Sequence, residues 1–142
     1  MRRLFFIVIA AFLFGSCAST LYNWGGESSS VSDYEKLTYN YYDKQTPESL
    51  CQLLAMYEEI ISRPNGSRHT PPPGICAEYG YLLLMPGTVE TFEKYATSHQ
   101  RALFSGTDYG TIFHERGIEM LKEEIRLYPE SEKFITPLIK RF

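Results

Sequence analysis

Ile75-Cys76-Ala77-Glu78-Tyr79-Gly80-Tyr81-Leu82-Leu83-Leu84-Met85 is a strongly apolar run, stopped by Pro86-Gly87. It predicts a helix with one small residue, Gly80, at its middle, where a second helix can approach closely. On its N-terminal side, Thr70-Pro71-Pro72-Pro73-Gly74 is a stiff extended lead-in. Upstream of that, Thr46-Pro47-Glu48 combines a capping residue, a proline at the first helical position and an acid in the first turn. The helix it starts carries Leu50, Leu53, Leu54, Tyr57, Ile60 and Ile61 on one stripe, and must stop before Pro64. Ser32 or Asp33 caps an earlier helix with Tyr34, Leu37, Tyr41 and Tyr42 on one side. Downstream, Thr88 begins a helix with Val89, Phe92, Tyr95 and Ala96 on one face, and Gly106 and Gly110 around Asp108 break the chain. A longer helix follows from about Thr111 to Tyr128, with Ile112, Ile118, Leu121, Ile125 and Leu127 apolar. After the boundary Pro129-Glu130-Ser131, Phe134, Ile135, Leu138 and Ile139 make a last amphipathic helix, short or kinked because of Pro137. No alternating stretch is long enough for a strand. The expectation is an all-α domain over residues 33–142.

The 142 residues allow one small domain, and a composition of 44% hydrophobic and 22% charged residues is that of a globular chain. A formal net charge of −3 disfavours a basic nucleic-acid binder, which needs a positive surface to neutralise phosphates. Three cysteines are too few for a disulfide-built miniprotein. The aromatic content is lopsided, with eleven Tyr and nine Phe against a single Trp.

The N-terminus reads as an address. Met1-Arg2-Arg3 is a positive n-region, and Leu4 to Phe14 is an uncharged apolar run, followed by the small residues Gly15 and Ser16. The run is shorter than the about 20 apolar residues that span a bilayer. Phe14-Gly15-Ser16-Cys17 resembles the lipobox of bacterial lipoproteins, with Phe14 where that pattern prefers Leu. The resemblance implies a signal peptide over 1–16, cleavage before Cys17 and acylation of Cys17. Two or more acyl chains make such anchoring stable. Cleavage removes two arginines and no acid, leaving twelve basic against seventeen acidic residues and a net charge of −5. A chain this acidic is not expected to hold anionic lipid through its own surface, so the acyl chains must do the anchoring. Ala18 stands where many such lipoproteins carry an Asp for inner-membrane retention, which implies the outer membrane, facing the periplasm. Residues 17–32 have linker composition and, extended, reach roughly 50 Å beyond the anchor. Tyr22 and Trp24 are out of character for a linker and predict docking, on this domain or on a partner.

Ala77-Glu78-Tyr79-Gly80-Tyr81-Leu82-Leu83 resembles the first helix of a tetratricopeptide repeat, with Gly87 as the turn glycine. The closing proline of such a unit belongs near position 104, but the one present is Pro129, so the reading places an insertion at about 88–113. Gly117 and Leu121 then take the small and large packing positions of the second helix. Residues 32–43 and the helix ending at Pro64 form an earlier hairpin, and the helix after Pro129 caps the stack. With Cys17, Tyr22-Asn23-Trp24-Gly25, Pro72-Pro73-Gly74 and Tyr128-Pro129-Glu130-Ser131-Glu132-Lys133-Phe134-Ile135, the chain resembles the small bacterial lipoproteins of domain of unknown function 4810. The resemblance covers nearly all of the mature chain except 88–113. Members are often encoded beside a lipoprotein similar to the curli export channel and a second small lipoprotein. That implies a place in an envelope assembly and carries no catalytic residue.

Direct signs of chemistry are few. His114-Glu115 begins like a metalloprotease helix, but Ile118 stands where the second His is required. His69, His99 and His114 have no ligand spacing, so no metal or cofactor is expected. Glu58-Glu59 and Glu123-Glu124 read as solvated helix edges. Cys51 and Cys76 either form one disulfide, closing a loop of about 25 residues and stabilising by about 3 kcal/mol, or stay as two buried thiols. Tyr34, Tyr41, Tyr42, Tyr79, Tyr81 and Trp24 are the candidate partner-binding residues, because exposed tyrosine suits recognition. The leading expectation is a non-enzymatic, lipid-anchored adaptor for another envelope protein, with no small-molecule substrate and no nucleic acid. The alternatives are a ligand-binding module with 88–113 as a lid, and an enzyme using Cys76 or His114.

Overall fold

Prolines and capping side chains set where each helix begins. The computed structural model describes residues 20–26 and 32–142. The signal peptide, Cys17 and the middle of the expected tether lie outside them. Helix α1 (Asp33–Lys44) starts at Ser32, whose hydroxyl accepts the Glu35 N–H, and ends at Gln45 in the left-handed region. Helix α2 (Pro47–Ser62) starts at Thr46, which accepts from Ser49 N–H, and stops before Pro64. Helix α3 (Ile75–Leu84) follows Gly74, which has φ 90° and offers no side-chain cap. Helices α4 (Thr88–Tyr95) and α5 (Ser98–Ala102) follow, then α6 (Tyr109–Leu127), a 3-10 turn (Pro129–Ser131) and α7 (Glu132–Ile139) with Pro137 inside it. Among the described residues there is no strand, and the fold is all-α. No described helix is long and apolar enough to cross a membrane.

The sequence reading leaves out α5. Its signal is present as a capping box: Thr97 accepts the Gln100 N–H, and the Gln100 side chain accepts the Thr97 N–H.

Two helix pairs carry the architecture, α1 against α2 and α3 against α6, and α3 with α6 is the most extensive contact in the molecule. The small residues on which this pairing was expected to turn do meet. A Cβ on Gly80 would lie 2.7 Å from the Gly117 carbonyl oxygen, and one on Gly117 would lie 2.6 Å from Leu84 Cγ. Neither site has room for a side chain. Gly80 and Gly117 therefore bring the two backbones together across the 24 residues, 85–108, that separate these helices in sequence.

The segment 88–113 contributes four aromatic side chains to the core. Phe92 and Phe113 are 0% exposed, and Phe104 and Tyr109 are buried beside them. The Phe92 ring centroid lies 5.2, 5.1 and 5.0 Å from those of Phe104, Tyr109 and Phe113, in edge-to-face contacts. Such pairs add about 0.5–1.5 kcal/mol each beyond their area. Much of the aromatic surplus goes here, into holding α4 and the turn after α5 against α6.

The strap 20–26 is also no free linker. Asn23 N–H donates to the Asn65 carbonyl, and Asp33 and Tyr34 N–H groups donate to the Gly25 and Trp24 carbonyls, at 3.1–3.2 Å. Trp24 packs on Tyr34 with ring centroids 5.1 Å apart, so the aromatic residues of the tether dock on their own domain.

Candidate functional site

A row of rings runs from the strap into the core: Trp24, Tyr34, Tyr57 and Tyr79, with successive centroids 5.1, 6.3 and 5.7 Å apart. Its polar ends converge on two carboxylates. Glu78, one turn into α3, accepts the Tyr57 hydroxyl at 2.6 Å and the Tyr34 hydroxyl at 3.1 Å. Glu58 of α2 accepts the Tyr79 hydroxyl at 2.7 Å and the Arg116 guanidinium at 2.8 and 3.3 Å. Burial first, then the Glu78 charge and hydrogen bond, push the Tyr34 hydroxyl up to about 12; burial and Glu78 raise Tyr57 well above its ordinary value, and burial and then Glu58 do the same for Tyr79. All three stay protonated donors. Arg116 also meets Glu119 at 2.9 Å, so α2 and α6 are tied by a half-buried ion pair.

These contacts sort the six candidate partner-binding residues. Tyr79 is 0% exposed and belongs to the core, a correction to its place in the set. Tyr34 and Tyr41 are half-buried and pack against the core. Tyr42 at 63%, Tyr81 at 40% and Trp24 at 37% exposed do reach solvent. Tyr79 and Tyr81 are separated because positions two apart on a helix, at about 100° per residue, point to nearly opposite sides.

Tyr42 of α1 and Tyr81 of α3 are the most exposed of the six. Burial raises the Tyr42 pKa, and the charges of Glu78 and then Tyr41 and Tyr81 add to it. The edge of the Phe142 ring meets Tyr81 at 6.5 Å. A cleft of about 370 Å³ beside Tyr41 and Tyr42 is closed by Gln45, Pro47, Leu50 and Thr91. A second, of about 920 Å³, lies between the strap and α1, lined by Tyr22, Trp24, Tyr34, Glu35 and Asn65 among others.

Glu124 is not a solvated edge either. It is 3% exposed and accepts the Gly74 N–H at 2.8 Å and the Ala77 N–H at 3.3 Å, capping α3 from α6. Glu58 and Glu124 were the two carboxylates misread from sequence. Each sits on a helix whose neighbouring acid, Glu59 or Glu123, is more exposed, and one-dimensional spacing does not separate them.

Cys51 and Cys76 are both free and 1% or less exposed. Burial pushes their thiols up to about 11 and about 12, so neither is a thiolate at neutral pH and neither is an activated nucleophile. Both should resist alkylation in the native protein and react fully on unfolding. Rapid labelling of either in the folded state would contradict this placement. His69, His99 and His114 are exposed on three separate segments. Among the described residues no group of three or more His, Cys, Asp or Glu could hold a metal.

The profile of the family described as Domain of unknown function (DUF4810) matches residues 21–105. The chain belongs to this family. The match starts in the docked strap and includes α1 to α5, so residues 88–105 are part of the DUF4810 unit. That corrects the expectation that this stretch departs from it. The Tyr128–Ile135 segment that contributed to the resemblance lies beyond the matched span. No curated protein and no solved structure matches the chain significantly.

Proposed function

We propose that this DUF4810 member is a non-enzymatic adaptor, lipid-anchored at Cys17 to the outer membrane and facing the periplasm, that binds another envelope protein. The observation that supports it most is the tyrosine face on α1 and α3. Tyr42 and Tyr81 are exposed there without being needed for the core, above tyrosines that a shared carboxylate locks in place. Large side chains with few rotamers, on a rigid base, lose little entropy on binding. The helix pairs support a tetratricopeptide-like reading, in which α1 and α3 are the first helices of two hairpins and line one side of the stack. The lipobox resemblance at Phe14-Gly15-Ser16-Cys17 supports the anchor. Inert cysteines and scattered histidines fit a binding role better than a Cys76 or His114 enzyme.

The test is co-purification from gently solubilised envelopes, with a C-terminal tag, comparing wild type with Tyr42→Ala/Tyr81→Ala. The double variant should keep its helical circular dichroism and lose a stoichiometric companion at least tenfold. Equal recovery by both proteins would remove the tyrosine face from the proposal, and recovery of no companion by either would remove the adaptor role.

A further inference from the structure

The strap changes what the anchor does. The Ser67 N–H donates to the Thr20 carbonyl at 3.0 Å and the Arg68 N–H to the Leu21 carbonyl at 3.1 Å, so the docked strap begins at Thr20. Gly66 makes the approach: its φ is +96°, and a Cβ there would lie 2.8 Å from the Leu21 carbonyl oxygen. Thr20 is three residues from Cys17. At ~3.6 Å per residue that spacer reaches ~11 Å at most, instead of the roughly 50 Å of a free tether.

The surface held at that distance has a sign. No acid occurs between Glu59 and Glu78, while Arg63, Arg68 and His69 are exposed there. Leu21 is 56% exposed on the adjoining strap. The chain as a whole is acidic, so the 63–70 loop is a locally basic stretch where the anchor enters, with the acids nearest the strap, Asp33 and Glu35, on its α1 side. The strap holds that stretch within little more than a Debye length of the lipid, which is about 8 Å at physiological ionic strength.

We infer that the 63–70 loop and Leu21 form a membrane-facing surface that rests on anionic phospholipid headgroups and fixes how the domain stands. This rests on the anchor reading given above. Helix α2 runs away from that loop for 16 residues, ~24 Å at 1.5 Å each. Its far end, at Thr46 and Pro47, lines the same cleft as Tyr42. The membrane contact and the Tyr42 end of the tyrosine face thus lie at opposite ends of α2, and the partner meets Tyr42 from the periplasm.

The test uses mature protein extracted in detergent, with the mass of its N-terminal peptide measured for acylation of Cys17. A fluorophore is placed at Ser67→Cys or at Glu48→Cys, leaving buried Cys51 and Cys76 unlabelled. The protein is reconstituted into phosphatidylethanolamine–phosphatidylglycerol vesicles carrying a headgroup-attached quencher. Quenching at position 67 should exceed that at position 48 at least threefold. Arg63→Gln/Arg68→Gln, or phosphatidylcholine vesicles in place of anionic ones, should cut that ratio at least in half. Acylated protein with equal quenching at both positions would overturn the inference and leave the anchor standing. Protein with an unmodified Cys17 that fails to float with the vesicles would overturn the anchor reading, and the inference with it.

Discussion

Gly80→Ala should destabilise the domain by roughly 2–3 kcal/mol and lower its thermal midpoint by about 10 °C. The added methyl would lie 2.7 Å from the Gly117 carbonyl oxygen and 3.1 Å from Leu121 N, and both are backbone atoms of a helix that cannot yield locally. Relief requires α3 and α6 to move apart along their whole contact. The helix-propensity gain of alanine over glycine, about 1 kcal/mol, offsets only part of this. Gly117→Ala meets Leu84 Cγ at 2.6 Å and the Gly80 carbonyl at 3.0 Å, and should be similarly costly. Gly110→Ala is the control. That glycine lies exposed in the first turn of α6 with only Asp108 Oδ1 at 3.4 Å, so alanine there should be neutral or slightly stabilising. Urea or thermal unfolding followed by circular dichroism reads all three. A Gly80→Ala protein as stable as wild type would mean that the helices do not approach this closely.

Glu124→Ala should cost about 2–4 kcal/mol, because it strips the acceptor from two backbone N–H groups at the start of α3. Gly74 has no side chain to replace it. Glu124→Gln keeps one carbonyl acceptor and should fall between alanine and wild type at neutral pH. Its pH dependence carries a definite sign. Burial, opposed by the hydrogen bonds from Gly74, Ala77 and Cys76, leaves the Glu124 pKa raised. The native state therefore holds this proton more tightly than the unfolded chain does. The stability from that protonation is full below the ordinary carboxylate value of 4.5 and is lost as pH rises through the native pKa. Wild type should gain on Glu124→Gln as pH falls through that window. Glu123, lowered mainly by its hydrogen bond from Arg126, and Asp108, lowered by Thr111, shift in the opposite direction in both proteins and cancel in the difference. A stability difference that is flat or reversed between pH 7 and 4.5 would refute the buried cap.

The two variants probe the same joint from its two sides. Gly80 and Gly117 set how near α3 comes to α6, and Glu124 sets where α3 begins. Because α3 also carries Glu78 and Tyr81, any change in its seating is transmitted to the tyrosine face. If the chain is the proposed adaptor, Gly80→Ala should therefore weaken partner capture even where the protein remains folded.

The helices themselves were legible because their signals are local. Thr46-Pro47 and Pro64 bracket α2, Pro86-Gly87 follow α3, and Gly80 with Gly117 announces a close pair whatever lies between them. The same local rules would have found α5 from Thr97 and Gln100. Side-chain destinations were less accessible. Tyr79 and Tyr81 are equally tyrosine in sequence, yet one is 0% and the other 40% exposed, since only the packed direction of α3 tells them apart. Glu123 and Glu124 differ in the same way. Residues 20–26 have the composition of a linker, and it takes the Asn65–Arg68 turn, distant in sequence, together with the start of α1 at Asp33 and Tyr34, to supply the backbone partners that make a strap.

By itself the sequence determined that the chain is helical and where its long helices start and stop. Each of these depends on steric and hydrogen-bonding preferences within a few residues. Tertiary structure alone decided which carboxylates are buried, which tyrosines face solvent and how little chain separates Cys17 from the domain. Those properties depend on what lies opposite in space, and the desolvation that fixes them is imposed by neighbours fifty residues away.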